Sequence, residues 1–225
     1  MAHSSQHSSR HSSSPVSSSV PNEKRSYESS VWCKPNTISF PEWRGERHYM
    51  VPFTVRYGLP SSLARYQATV DQMLEGFRVG NVTMFLMIDE STVKAGKPHR
   101  RDGLHIDGYW ATEELKGDDW PPYPVFDRPE ALLLATSHLG SVGYRGSFDG
   151  PIGHGGSCQD VNISNMTEVP LLPNKCWAGN VSMLHESIPV SLVEDVQRTL
   201  VRINVPLLKT TLTECWNGLI GENCR

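Results

Sequence analysis

The stretch GLHIDGYW, residues 103–110, sets His105 and Asp107 two positions apart between glycines and bulky apolar residues. On a strand alternate side chains share a face, so this imidazole and carboxylate would project together. Taken alone, an H-x-D is equally well explained by two polar residues on a solvated strand face. A second segment, VSMLHESIPV at 181–190, adds His185 on the face of Val181 and Met183, in a run that otherwise reads as buried. Two imidazoles and one carboxylate form a ligand set for a divalent metal. The set suits non-haem Fe(II), holding one face of an octahedron and leaving the opposite positions open. A metal ligated this way keeps net positive charge, which favours an anionic chelating co-substrate.

Arginine supplies the next element. QRTLVRINVPLL, 197–208, places Arg198, Arg202 and Asn204 on one face of a strand. A guanidinium inside a protein is costly unless it meets a carboxylate, ideally through its bidentate fork. Arg198 is also explained by a surface ion pair with Glu186, Glu194 or Asp195. Arg202, flanked by Val201, Ile203 and Val205, sits deeper in the apolar run and is harder to explain as a surface group.

These residues need a scaffold. SSLARYQATVDQMLEGFRVG, 61–80, has Leu63, Tyr66, Val70, Met73, Leu74 and Phe77 at helical spacing. Ser61 or Ser62 could cap it and Gly80 close it, so it reads as a packing helix. Short apolar runs bounded by turn residues follow at 82–88, 103–110, 131–137, 180–190 and 199–208, and 189–198 has weak helical character. Such punctuation predicts a β sandwich or barrel with a helix packed on it. GNVTMFLMIDES and GNVSMLHES echo one another as Gly-Asn turns leading into buried strands. GYRGSFDGPIGHGGSCQD, 143–160, is glycine-rich and reads as a mobile lid that carries His154; neither His154 nor His138 has an H-x-D partner.

The 225 residues, 38% apolar and 20% charged with net charge −3, are enough for one globular domain. Nothing in that balance advertises a global nucleic-acid field. Residues 1–30 are Ser-rich, with His3, His7 and His11, and are expected to be a disordered tail; the folded domain is expected over 31–225. Cys33, Cys158, Cys176, Cys215 and Cys224 form no C-x-x-C pair and read as reduced thiols. With no secretory signal and no long apolar run, the expectation is an intracellular, cytoplasmic protein without a membrane span. On that basis the sequons at Asn81, Asn162, Asn165 and Asn180 are discounted.

The order His105-Ile106-Asp107, then His185, then Arg202-Ile203-Asn204 resembles the Fe(II)- and 2-oxoglutarate-dependent dioxygenases, which carry H-x-D, a distal His and an Arg on the next core strand. GNVSMLHESIPV resembles the strand and turn around their distal ligand, and the likeness spans roughly residues 80–208. The resemblance implies a mainly β fold, a double-stranded β-helix (jelly-roll, cupin-like) sandwich with flanking helices. It implies Fe(II) on His105, Asp107 and His185, with O2 as oxidant. It implies 2-oxoglutarate held by Arg202, or by Arg198, with release of succinate and CO2 as a substrate C–H is hydroxylated or oxidatively demethylated. Asp107 argues against the halogenating branch, which lacks this carboxylate. The other class of reading is a non-catalytic jelly-roll binding module whose histidines and aspartate hold another ion.

KAGKPHRRDG, 94–103, delivers Lys94, Lys97, Arg100 and Arg101 close to His105. It reads either as a solvated loop or, with Tyr109, as a positive rim that draws in an anionic substrate. That substrate is a small molecule, or a nucleic acid with a base flipped into the pocket and stacked on Trp110, Trp120 or Tyr123.

Overall fold

The computed structural model describes residues 26–77, 79–107 and 130–206. Among the described residues ten strands form two antiparallel sheets. The larger has six strands: β2 (Val31–Thr37), β3 (Arg47–Phe53), β4 (Met84–Val93), β5 (Glu130–Thr136), β8 (Lys175–Asn180) and β10 (Val196–Pro206), in the order β2-β8-β5-β10-β4-β3. The smaller contains β1 (Ser26–Ser29), β6 (Ser141–Asp149) and β7 (Thr167–Pro170) in the order β1-β6-β7, with β9 (Leu184–Ser187) also paired to β6. The expected mainly β sandwich is therefore what the chain forms.

Alternation along β10 divides the interior. Val201, Ile203 and Val205 face one side and pack with Leu86, Ile88 and Leu133 against the helical segment. Arg198, Leu200, Arg202 and Asn204, one residue out of phase, face the other side, the side on which Leu134 and Trp177 pack with Leu171. β10 is paired on both edges, Arg202 lying opposite Met87 of β4 and Leu134 of β5. Strand pairing on both sides holds its inward residues at fixed spacing.

The helix is shorter than its periodicity suggests. Ser61–Tyr66 is a 3-10 turn with no side-chain cap, and α1 runs only Gln67–Leu74. Leu63, Tyr66, Val70 and Met73 are buried as the spacing requires. The helix ends before Gly80 because Gly76 takes a positive φ of 73° and the Lys34 ammonium donates to the Gln72, Met73 and Glu75 carbonyls. Those carbonyls would otherwise lack donors at the helix end.

Several expectations are corrected. Ser26–Ser29, assigned by composition to the tail, form β1 against Gly146–Asp149; pairing with β6 supplies the order that their side chains do not. No helix occurs over 189–198, where β10 already begins at Val196. Residues 143–149 belong to β6 rather than to a lid. Cys33 is disulfide-bonded, while Cys158 and Cys176 are free. Local spacing reports only local pairs, and a disulfide links cysteines distant in the chain. Among the described residues no helix is long and apolar enough to cross a membrane. The tail histidines, Tyr109, Trp110, Trp120 and Tyr123 lie outside the described residues.

Candidate metal centre

His105 and His185 are brought together by their backbones. His105 N–H donates to the His185 carbonyl at 2.9 Å, and His185 N–H to the His105 carbonyl at 3.0 Å. The two residues thus face each other as a hydrogen-bonded antiparallel pair, with ring centroids 4.3 Å apart. His185 sits on β9, held to β6 opposite Gly143. The segment around His105 makes isolated bridges, to Ser157 and to His185, and is no regular strand.

Each ring is oriented by a carbonyl two residues back. His105 Nδ1 lies 2.7 Å from the Gly103 oxygen, and His185 Nδ1 lies 2.9 Å from the Met183 oxygen. A carbonyl only accepts, so each Nδ1 carries a proton, and a neutral ring held this way keeps its Nε2 lone pair for a metal. This is how metal-ligating histidines are commonly held. Burial first, and the adjacent His185 second, depress the His105 pKa to about 3, which keeps that ring neutral.

Asp107 completes the group. One ligand atom from each of His105, Asp107 and His185 lies within 4.8 Å of the others. His185 Nε2 is 3.7 Å from Asp107 Oδ2, and Arg202 Nη1 donates to the same oxygen at 2.7 Å. Burial would raise this carboxyl, but the Arg202 charge and the Arg202 hydrogen bond hold it well below the usual carboxylate range. Two imidazole lone pairs beside an ionised carboxylate fit Fe(II) or a similar divalent ion.

The glycine-rich segment forms the floor under this group. Ile106 N–H donates to the Gly156 carbonyl and Cys158 N–H to the Leu104 carbonyl, at 2.9 and 2.8 Å. A Cβ on Gly156, where φ is 79°, would lie 2.1 Å from the Ile106 oxygen. The segment is therefore docked beneath the H-x-D, and its glycine permits that approach.

The two arginines differ. Arg202 is bonded to Asp107, and its Nη2 lies 3.8 Å from Met50 Sδ. Arg198 is fully buried and makes none of the surface ion pairs considered for it. Its Nε donates to Thr136 Oγ1 at 2.8 Å and to the His138 carbonyl at 3.2 Å, and its Nη2 to Ser141 Oγ at 3.4 Å. Nη1 has no partner. Desolvation lowers its pKa to about 10. Thr136 and Ser141 were not marked by the sequence; Thr136 comes from β5 beside β10 and Ser141 from β6 of the other sheet, and only the fold brings them to Arg198.

Among the described rim residues, Arg100, Arg101 and Lys94 are engaged. Arg100 Nη1 donates to Asp89 Oδ2 at 2.8 Å and Arg101 Nη1 to the Gly155 carbonyl at 2.8 Å. Lys94 pairs with Asp195 at 2.6 Å.

No protein-family model and no curated protein matches the chain. Among solved structures it is similar to EvdO2 from Micromonospora carbonacea var. aurantiaca, in a crystal structure of the complex with 2-oxoglutarate and in another of EvdO2. Each is 15% identical, covers 72% of this chain and 69% of that one, and has a TM-score of 0.33 or 0.32. At those values the likeness carries no functional argument, and the reading below rests on the geometry of the site.

Proposed function

We propose that the chain is an Fe(II)- and 2-oxoglutarate-dependent oxygenase, with His105, Asp107 and His185 as iron ligands. The observation that carries the reading is the paired orientation of the two rings, both Nδ1 atoms tied to carbonyls and both Nε2 atoms free beside Asp107. Bound iron would supply O2 activation, coupled to decarboxylation of 2-oxoglutarate to succinate and CO2 and to oxidation of a substrate C–H.

The chain's own residues would do the positioning. Arg198 is the better anchor for the distal carboxylate of 2-oxoglutarate. Its fork has an unpartnered Nη1, and carboxylates are held by such forks. Ser141, which Arg198 touches, lies two residues along β6 from Gly143, the register partner of His185, a separation of roughly 7 Å. That spacing leaves room for a short carbon chain between metal and guanidinium. Arg202, already bonded to a candidate iron ligand, leaves none, so its role would be to orient Asp107. Thr136 and Ser141 would fix the Arg198 plane, and the surrounding apolar residues would exclude water.

Anaerobic addition of Fe(II) and 2-oxoglutarate should produce a weak visible charge-transfer band, and His185→Ala should remove both the band and uncoupled succinate release. A variant that still turned over 2-oxoglutarate would overturn the ligand assignment. A wild-type protein that bound the metal but gave no band would favour a non-catalytic binding module.

A further inference from the structure

Resting on the oxygenase reading, we propose that Asn204 recognises the substrate, and that the substrate presents a hydrogen-bond donor, an O–H or N–H, to its side-chain oxygen. Asn204 is 2% exposed and its Oδ1 has no hydrogen-bond partner. A buried acceptor left without a donor destabilises a fold, and such atoms are accounted for by a ligand, an ordered water or local strain. Strain is not the cause here. Asn204 sits inside β10 in regular register with Phe85 on one side and Leu132 on the other. Both neighbours are apolar, so packing alone would be served by leucine.

Its place relative to the metal group selects the ligand. Along the inward face of β10 the order is Arg198, Leu200, Arg202, Asn204. Arg202 contacts Asp107. Asn204 is the next inward residue, roughly 7 Å farther along the strand and on the side away from Arg198. A co-substrate anchored at Arg198 leaves the Asn204 side for the molecule to be oxidised. 2-Oxoglutarate cannot satisfy Oδ1 in any case, because its carboxylates and keto group only accept hydrogen bonds. The donor must come from another molecule. The engagement of Arg100 and Arg101 by Asp89 and Gly155 agrees with a substrate that is polar rather than anionic.

The test uses Asn204→Leu in the full chain and needs neither metal nor turnover, so its outcome is independent of the anaerobic titration above. Removing an acceptor kept for a ligand should raise Tm by about 2–4 °C. In the wild-type protein, the side-chain amide signals of Asn204, assigned by their loss in the variant, are followed in two-dimensional 15N NMR. Propionamide and n-butanol should shift them, whereas propionate and methyl propyl ether, which lack a donor, should not. A fall in Tm would make Asn204 a structural residue and overturn the proposal. So would an equal response to donors and non-donors, or no response to the donors. Loss of the wild-type band with these outcomes as expected would discard the oxygenase reading and keep Asn204 as a donor-binding residue.

Discussion

Asp89 and Asp107 are both shielded carboxylates with arginine and histidine beside them, yet one is saturated and the other is open. Asp89 receives Arg47 at 3.0 Å, Arg100 at 2.8 Å and Ser91 at 2.6 Å, and His99 Nε2 lies 3.2 Å away. Those neighbours, His99 foremost, outweigh burial and hold its carboxyl well below the usual range. Asp107 has one strong donor, Arg202, and faces two histidines whose Nδ1 atoms are tied to backbone carbonyls, so that their Nε2 atoms are turned toward it. The same residue types therefore give an ion cluster in one place and a group that could hold a metal in the other. The direction of the lone pairs decides which, and that direction is set by two backbone carbonyls.

The largest effect that would break this contrast is on stability. Asp89→Ala should cost about 3 kcal/mol, the lower end for removing one member of a buried ion pair, because Arg47 and Arg100 are exposed enough to return to water. Chemical denaturation checks it. Divalent-metal affinity, read by Co(II) titration of the folded variant, should change little. If Asp89→Ala instead abolished metal binding while leaving stability intact, the two carboxylates would have exchanged roles.

Gly156→Ala should come next, costing roughly 1–3 kcal/mol through its positive φ and the forced retreat of the Ile106 carbonyl. Because that carbonyl lies between His105 and Asp107 in the chain, metal affinity should fall as well. A variant of unchanged stability and affinity would mean that the glycine-rich segment is not the support described.

The arginines sharpen the comparison further. Arg198→Met should raise the Kd for 2-oxoglutarate about 10- to 100-fold, the scale of a lost charge-assisted hydrogen bond, at constant metal affinity. Arg202→Met should instead act on the metal, within the 10- to 100-fold range typical of groups that orient ligands. Isothermal titration with Co(II) and then with 2-oxoglutarate separates the two. The reverse result would restore Arg202 as the co-substrate anchor.

How much of this was legible follows from the same physics. Strand alternation is a local rule, and it placed Arg198, Arg202 and Asn204 on one inward face of β10. It also paired His105 with Asp107, although 103–107 is held by single bridges rather than by a strand. The Asp89 cluster was not legible. Asp89 stands in the apolar run MFLMIDE, and apart from Ser91 its partners come from residues 47, 99 and 100, joined to it only by sheet pairing and loop closure. The lid reading failed at Gly156 for a related reason. Glycine content reports which conformations a backbone can take, and the observed one serves close approach to Ile106. The orientation of each imidazole was equally hidden, because it depends on carbonyls that no side-chain pattern encodes.

The smallest effect is graded and separates the two carboxylate neighbourhoods by pH. The folded His105 takes up a proton only near pH 3, whereas in the unfolded chain it does so near 6.5. Between those values the unfolded state binds more protons, so stability rises with pH by at most about 1.4 kcal/mol per unit, is complete above 6.5 and is lost as pH falls. Asp89 and Asp107 have folded pKa values depressed below 3.8, so their contribution is present above 3.8 and is lost only below it. Acid denaturation of the metal-free protein should therefore begin with a slope that His105→Gln reduces, burial beside Arg198 lowering His138 as well, and that Asp89→Ala leaves in place. Adding a divalent metal should keep this slope and extend it below pH 3, since a ligated His105 has no lone pair to protonate in the folded state while the unfolded chain still takes up the proton. A metal-free protein whose stability stayed level from pH 6.5 to 4 would show that the His105 ring is not held neutral by its surroundings, and the orientation argument for the metal centre would lose its electrostatic support.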